Sequence, residues 1–432
     1  MRYWLIVLFL LGGSTAGLAQ QQAAEKYLLN NAHLQHAFIG ICIYSPESGK
    51  VIYDHNAFRY FTPASNTKLY SFYAGLQYLD DSTTGIQYQQ KADTLYVRGT
   101  GDPTFLHPDF DQQPVYAFLK NSTLPIAIVP TKNENEPYGP GWAWDDFNGE
   151  YQPERSPFPI YGNVAWFSLH NKLLQVMPSY FSTQEKLVFD PDIPAYGFKV
   201  KRERKGNLFH YNIAGPATNK IQQVPFVTFD NHLLLSLLQD TLHKKVYAST
   251  TDLPENQWKT LAGVPLDSML KHMMFRSDNF YAEQTDQMVS MKLFGEINTE
   301  KLIDYLLAHD LKNLPNKPVW VDGSGLSRYN LFSPADMVTV LTMLYRNVPQ
   351  QRLFSLLPSG GEGTLEHLYG DLKGKIFAKT GSLSNNVTLS GFLLTRKGHP
   401  LIFSIMINHC YSPLSIGRKG MENFLRTVWQ KL

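Results

Sequence analysis

The sequence predicts an α/β fold in which one domain, with an antiparallel sheet and a cluster of helices, is built from both ends of the chain. Strand-like alternation of apolar and polar residues occurs at 38–55 and again, as an antiparallel meander, at 374–409. Helical periodicity dominates between 261 and 346, whereas residues 86–245 are crowded with aromatic residues, prolines and turn signals. We therefore expect a discontinuous α/β domain that is interrupted by a β-rich inserted region.

The separate elements follow from local patterns in chain order. Two strands flank the turn Pro46-Glu47-Ser48-Gly49, and a helix-like run follows Pro63. The helices are expected at 23–36, 65–79, 261–294, 299–310, 333–346 and 415–430, and the strands at 38–45, 51–55, 374–380, 387–395 and 401–409. The domain boundaries that follow are a signal peptide at 1–19, a discontinuous domain at 20–85 and 246–432, and the inserted region at 86–245.

The N-terminus has the pattern of a secretory signal peptide. Arg2 precedes an apolar run at 4–11, which is too short to span a bilayer, and small residues lead to a cleavage site after Ala19. We therefore expect a periplasmic or otherwise exported protein with no stable membrane span after signal removal. Export permits a disulfide between Cys42 and Cys410, but two small buried thiols are the favoured interpretation.

The charge balance narrows the classes of partner. The chain has 39 lysine and arginine residues against 37 aspartate and glutamate residues, so its formal net charge is only +2. This gives no reason to expect nucleic acid or an anionic membrane as a partner. No cluster of histidine and cysteine indicates a metal site, and oligomeric state is not indicated by the sequence.

A serine and a lysine open the helix predicted at 65–79. Ser65 and Lys68 are three residues apart, so both side chains project from one helix face. A serine hydroxyl attacks a carbonyl only when a base removes its proton, and lysine can be that base only if its pKa falls well below about 10.4. Burial and a neighbouring cation would both lower this pKa. The pair by itself is equally typical of a helix surface.

Two further motifs occur downstream. Ser277 and Asn279 follow an apolar helical stretch, where a turn can direct both side chains into a cleft, although helix capping explains them equally well. Lys379, Thr380 and Gly381 end an apolar strand. An edge strand there can pair with a peptide substrate, the glycine permits close backbone approach, and the lysine and threonine suit a carboxylate.

The three motifs stand in the order found in serine acyl-transferases of the penicillin-binding type. Further segments make the chain resemble a narrower family, the class C low-molecular-mass penicillin-binding proteins. This is the S13 peptidase family of D-alanyl-D-alanine carboxypeptidases and endopeptidases. The segments that carry the resemblance lie at 64–68, 99–104, 141–146, 322–328, 357–358, 363–365 and 378–383.

The resemblance implies an exported hydrolase that acts on peptidoglycan stem peptides, needs no metal or organic cofactor, and is acylated by β-lactam antibiotics. It implies the following roles: Ser65 as nucleophile, Lys68 as base, Ser277 and Asn279 as the second motif, Lys379 and Thr380 as a carboxylate clamp beside Gly381, and the backbone N–H groups of Ser65 and Ser382 as the oxyanion hole. It does not distinguish carboxypeptidase from endopeptidase action.

The resemblance also implies a subsite for the diamino acid of the stem peptide. Asp146, Tyr151 and Arg328 occupy the relevant positions. A carboxylate for an ammonium and a guanidinium for a carboxylate suit a zwitterionic side chain such as meso-diaminopimelate. Structural hydrogen bonds are an equally good explanation for Asp146 and Arg328.

Three alternative functions remain open. A serine β-lactamase would use the same motifs. The class A type, however, needs a glutamate that activates the deacylating water, typically in a Glu-x-x-Leu-Asn segment between the first two motifs, and Glu203 with Asn207 matches that segment poorly. A related D-amino-acid peptidase or esterase could share the fold. A non-catalytic cell-wall scaffold is the third, and an intact set of site residues argues against it.

Overall fold

The computed structural model describes residues 19–171, 173–194, 196–214, 220–229 and 231–432. The signal peptide predicted at 1–19 therefore lies outside the described residues, except for Ala19. The chain divides into two compact units. The first contains the described residues up to Tyr73 together with Leu270–Asp278 and Ile303–Leu432, and the second contains Ala74–Met269 and Asn279–Leu302.

Strands account for much of both units. They are β1 (Phe38–Ser45), β2 (Lys50–His55), β3 (Ser82–Lys91), β4 (Thr94–Gly99), β5 (Ile126–Ile128), β6 (Val164–His170), β7 (Leu173–Met177), β8 (Leu187–Phe189), β9 (Gly197–Arg202), β10 (Phe209–Ala214), β11 (Lys220–Pro225), β12 (Val246–Ala248), β13 (Lys259–Pro265), β14 (Ile376–Leu383), β15 (Asn386–Leu394) and β16 (Pro400–Asn408).

The helices are concentrated in the second half of the chain. They are α1 (Lys68–Tyr78), α2 (Pro114–Asn121), α3 (Asn231–Leu242), α4 (Leu266–Phe275), α5 (Asn279–Phe294), α6 (Thr299–Ala308), α7 (Pro334–Asn347), α8 (Gln350–Ser355) and α9 (Leu414–Lys431). A short π-helical segment, Glu25–Leu29, precedes β1.

One antiparallel sheet organises the first unit. Its order is β14-β15-β16-β1-β2, so strands from the two ends of the described chain are neighbours. The pairing of β1 with β16 places Ile41 opposite Ile405. These two side chains and that of Phe424 on α9 are fully buried in one apolar core, whose burial drives this part of the fold. The fold class is α/β, as predicted, and β14 lies at an edge of the sheet.

Within its described residues, the second unit has its own apolar core and three sheets. The largest has the order β12-β5-β4-β3-β13 and mixes parallel with antiparallel pairs. The sequence indicated a β-rich texture at 86–245 but not the helices α2 and α3 that lie within this stretch. The helix expected from 261 was wrong over its first turn, because residues 259–265 form β13 and pair with β3. Pairing with a neighbouring strand outweighed the local helical spacing there.

Both cysteines lie in the first unit. Cys42 and Cys410 are buried and unpaired, as the favoured interpretation of the sequence predicted. Among the described residues, no helix combines the length and apolar character needed to cross a bilayer.

Candidate active site

The structure brings Ser65 and Lys68 together in the first unit. Ser65 belongs to a short 3₁₀ helix, Ala64–Thr67, that leads directly into α1. Lys68 Nζ lies 3.0 Å from Ser65 Oγ, which is hydrogen-bonding distance. The Lys68 side chain is fully buried, whereas Ser65 is partly exposed. A partly exposed nucleophile with a buried amine in contact is the arrangement that proton transfer requires.

The loop at 322–328, between α6 and α7, holds the Lys68 amine from the other side. Lys68 Nζ donates to the carbonyl oxygen of Ser324 at 2.7 Å. The buried Asp322 carboxylate shapes this loop, since it accepts from the backbone N–H of Gly325 at 2.9 Å and from that of Ser327 at 2.7 Å. The sequence identified residues 322–328 only as one of the segments that carry the family resemblance; in the structure this loop positions the lysine.

The same loop packs tightly against the nucleophile. Gly325 has a left-handed backbone with a φ of 78°, and an added Cβ would collide with the carbonyl oxygen of Ala64. Ala64 itself has a φ of 48°, which is uncommon for a residue with a side chain. The turn that presents Ser65 therefore has a strained backbone, and the close approach of Gly325 keeps it in place.

The nucleophile turn is also anchored to the sheet. Asn66 Nδ2 donates to Ser390 Oγ at 2.5 Å, and the Thr388 hydroxyl lies 2.8 Å from both Asn66 Oδ1 and the Pro63 carbonyl oxygen. A Cβ on Gly381 would lie only 2.8 Å from that same Pro63 oxygen. The close backbone approach predicted at Gly381 is therefore made by the chain itself.

The second and third motifs meet through Ser277 and Lys379. Ser277 follows the end of α4 with a φ of 60°, a left-handed conformation that turns the chain sharply after the helix. Lys379 Nζ donates to Ser277 Oγ at 2.7 Å and to the Thr380 carbonyl oxygen at 2.6 Å. Residues 102 positions apart in the sequence are thus in direct contact.

Burial and a neighbouring charge perturb the Lys379 ammonium. The side chain is fully buried, and burial lowers the pKa of Lys379 well below its usual value, with a further contribution from the positive charge of Lys68. Repulsion between two ammonium groups acts on both of them. The two amines therefore resist being protonated at the same time, which favours one neutral amine in this site.

A cavity of about 520 Å³ opens beside these groups. Ser65, Ser277, Thr380 and Ser382 all line it. A substrate carbonyl held at Ser65 would thus have the edge strand β14 beside it, in the position that a peptide needs to pair with that strand.

The second unit contains three of the predicted residues, and two of them, Asn279 and Asp146, contact the third, Tyr151. Asn279 begins α5, and its Nδ2 donates to the carbonyl oxygen of Tyr151 at 2.8 Å. Burial raises the pKa of Tyr151 to about 12, helped by a hydrogen bond to the Asp146 carboxylate and by its charge. Tyr151 is nevertheless 46 % exposed, so this cluster presents a phenol and a carboxylate at the surface of its unit.

Arg328 lies in the first unit, near the end of β14. Its Nη1 donates to the carbonyl oxygen of Ser384 at 3.3 Å, and the residue is exposed. A single long hydrogen bond leaves most of the guanidinium donors available to another group.

Several residues of the site were not identified from the sequence. Ser324 contributes a backbone carbonyl, which any residue type could supply, so no sequence signal exists for it. Asn66 is one of the two variable positions of its motif, and nothing in the sequence distinguishes it from the polar residues on either side.

The chain matches one family over nearly all its length. The sequence model of the D-Ala-D-Ala carboxypeptidase 3 (S13) family matches residues 20–428. The D-alanyl-D-alanine carboxypeptidase DacB of Haemophilus influenzae is 24% identical over 419 residues, covering 86% of this chain and 85% of that protein. The penicillin-sensitive carboxypeptidase A of Dictyostelium discoideum is 24% identical over 432 residues, covering 85% of this chain and 82% of that protein.

Solved structures share the fold. Penicillin binding protein 4 (dacB) from Haemophilus influenzae superposes with a TM-score of 0.73 at 20% identity, covering 95% of this chain and 98% of that chain. A peptidoglycan endopeptidase from Bdellovibrio bacteriovorus, Bd3459, gives a TM-score of 0.54 at 13% identity and covers 91% and 92% of the two chains. At these identities the likeness concerns the fold.

Proposed function

Because the chain belongs to the D-Ala-D-Ala carboxypeptidase 3 (S13) family, we propose that it is a serine-type D-Ala-D-Ala carboxypeptidase, a DD-endopeptidase or both. Its substrates are the stem peptides of peptidoglycan, and β-lactam antibiotics acylate it. The observation that carries the proposal is the contact of Lys68 Nζ with Ser65 Oγ at 3.0 Å, in the same unit as the contact between Lys379 and Ser277.

Acylation begins with transfer of the Ser65 hydroxyl proton to the neutral Lys68 amine. The serine oxygen attacks the carbonyl carbon of the penultimate D-alanine, and negative charge develops on the carbonyl oxygen. The backbone N–H groups of Ser65 and Ser382 are the proposed donors to that oxygen, and loss of one such donor typically costs about 10²–10³ in rate. When the carbon–nitrogen bond breaks, the leaving amine receives the proton from Lys68 by way of Ser277.

Deacylation reverses the roles of the same groups. Lys68, again neutral, takes a proton from a water molecule, and the resulting hydroxide attacks the ester carbonyl. The Ser65 oxygen then leaves and is protonated by Lys68. Every proton that the base accepts is returned, so the chain requires no cofactor for hydrolysis.

The remaining residues are proposed to recognise the substrate. Thr380, with Lys379, binds the carboxylate end of the peptide, and Gly381 lets the strand that carries them pack against the nucleophile turn. Asp146 and Tyr151 contact the ammonium end of the diamino acid, and Arg328 its carboxylate. The contact between Asp146 and Tyr151 and the weak engagement of the arginine support these assignments. Asn279 positions the Tyr151 backbone and contacts the substrate amide.

The proposed domain organisation places residues 20–85 and 246–432 in the catalytic domain and 86–245 in an insertion. We further propose that the signal peptide directs export and is cleaved after Ala19, so that the mature enzyme works in the periplasm or outside the cell. The near balance of 39 basic against 37 acidic residues supports the absence of a nucleic-acid partner.

An intact-mass time course with benzylpenicillin tests the proposal. The mature protein and its Ser65→Ala variant are mixed with the antibiotic, and an adduct that depends on Ser65 and persists for many minutes is expected. Clearance of the adduct within seconds would indicate a β-lactamase. The absence of any adduct would contradict the catalytic assignment and favour the scaffold. Hydrolysis of D-amino-acid esters, without action on D-Ala-D-Ala peptides, would favour the related peptidase or esterase.

A further inference from the structure

The cavity beside Ser65 continues between β14–β15 and α9. Thr380 and Ser382 line it from the edge strand, and Arg418 and Met421 line it from the helix. All these residues belong to the first unit. Its volume of about 520 Å³ lies within the range of about 300–1,000 Å³ that is usual for ligand sites, so it can hold part of the substrate.

A permanent cation lies in this cavity. Arg418 is half-buried, and its Nη2 donates to Ser382 Oγ at 2.9 Å. Ser415, in the first turn of the 18-residue helix α9, also lines the cavity, and the free N–H groups of such a turn carry partial positive charge. Among the described residues that line the cavity, Glu366 is the one carboxylate, and it is exposed. Arg418 and the helix terminus therefore make the α9 side of the cavity electropositive.

Two further polar groups of the cavity wall lack partners within the described part of the chain. The hydroxyl groups of Thr364 and Tyr369 are buried and accept or donate no hydrogen bond there, and both residues line the cavity. Tyr369 is only 1% exposed. Buried hydroxyls normally have a hydrogen-bond partner, so these two groups add unsatisfied polarity to the wall just behind the cavity surface.

We propose that Arg418, together with the hydroxyls of Thr380 and Ser382, binds the carboxylate on the leaving-group side of the scissile amide. The inference rests on the proposed function. That carboxylate is attached to the carbon next to the departing nitrogen, so it lies one residue beyond the carbonyl at Ser65, where the cavity begins. The terminal D-alanine of a stem peptide presents its carboxylate in this position. A diamino acid that is linked through the amine on its carboxylate-bearing carbon does the same.

Arginine suits this task better than the lysine of the third motif. Its planar guanidinium remains charged and binds a carboxylate through two parallel hydrogen bonds. Burial and Lys68 lower the pKa of Lys379, so Lys379 is a less dependable cation in the empty site. Arg418 supplies the lasting positive charge of the carboxylate site, and Lys379 assists there while it also donates to Ser277.

Two thioester substrates that differ only in the carboxylate test the inference. One is an N-acyl-D-alanyl thioester of thioglycolate, and the other is the same thioester of methyl thioglycolate. For Arg418→Ala, kcat/KM is expected to fall about 10–100-fold on the thioglycolate substrate and to stay within about twofold on the methyl ester. Arg418→Lys should recover part of the loss, because it restores charge but not the paired donors.

Lys431→Ala is the matched control, since it removes an exposed cation from the last turn of the same helix. It should behave as the wild type on both substrates. Equal losses on the two substrates in Arg418→Ala and Arg418→Lys, or no loss on either, would overturn the carboxylate site while leaving the proposed function intact. If the wild type turned over neither substrate in a Ser65-dependent manner, the proposed function itself would fail, and the carboxylate site with it.

Discussion

Replacement of Asp322 by asparagine should loosen the loop that holds the catalytic lysine. The buried carboxylate accepts hydrogen bonds from Gly325 N at 2.9 Å, Ser327 N at 2.7 Å and Asn330 Nδ2 at 2.6 Å. Asparagine keeps one oxygen and replaces the other with an NH₂ group. Whichever way the amide is oriented, at least one buried N–H donor then faces another donor.

The magnitude follows from these contacts. A buried donor without an acceptor costs about 1–3 kcal/mol, and the bonds that remain lose the strengthening that a charged acceptor provides. We expect the free energy of unfolding to fall by about 2–4 kcal/mol. For a unit of this size, each kcal/mol lowers Tm by roughly 2–4 °C, so a decrease of roughly 4–16 °C is expected for Asp322→Asn.

The catalytic effect should accompany the loss of stability. Ser324 lies within the loop and contributes the carbonyl that holds Lys68 Nζ at 2.7 Å, so a looser loop leaves the base less well placed. We expect the rate of acylation by benzylpenicillin, measured well below Tm, to fall about 10-fold or more. Asp304→Asn, an exposed position on α6, is the control. An unchanged Tm, or an unchanged acylation rate at lower Tm, would refute the reasoning that connects Asp322 to the lysine.

Three further predictions concern the lysine pair, the glycine of the same loop and the thiols. Lys379→Ala removes an amine whose protonated form repels the Lys68 ammonium, so protonation of Lys68 becomes easier and the acid-side midpoint of the acylation rate should move to higher pH. Gly325→Ala should lower Tm and slow acylation at least 10-fold or so, because the left-handed backbone and the blocked space both oppose a Cβ. Burial raises the pKa of the Cys42 thiol to about 12, so iodoacetamide at pH 8 should not alkylate the native protein but should modify both cysteines after denaturation.

Each of these predictions has a control or a contrary result. Lys375→Ala, an exposed lysine beside the start of β14, should leave the pH profile unchanged, and an unshifted profile in Lys379→Ala would remove that residue from the argument. Gly398 has a φ of 86° but open space around it, so the Gly398→Ala control shows the effect of backbone strain without the collision that is expected in Gly325→Ala. Rapid alkylation of the native protein would contradict the burial of Cys42.

Much of the first unit could be predicted because its signals are local. The helix expected at 333–346 begins with Ser333 as N-cap and Asp336 three residues later, and the structure contains that reciprocal capping box. The strands expected near both ends form one sheet, since alternation with a buried face specifies a strand strongly. Residues 259–265 show the opposite case, in which a short apolar pattern fitted a helix and a partner strand decided otherwise.

The sequence by itself determined the chemical groups of the candidate site: a serine three residues before a lysine, a second serine, and a lysine on a strand, although that strand continues past the lysine to Leu383 instead of ending beside it. Only the tertiary structure decided which of them meet and what supports them. Lys379 reaches Ser277, the Ser324 carbonyl holds Lys68, and Arg418 reaches Ser382. The reason is physical: periodicity and capping are recorded within a few residues, whereas contacts between residues far apart in the chain depend on strand register and loop packing, which no short segment encodes.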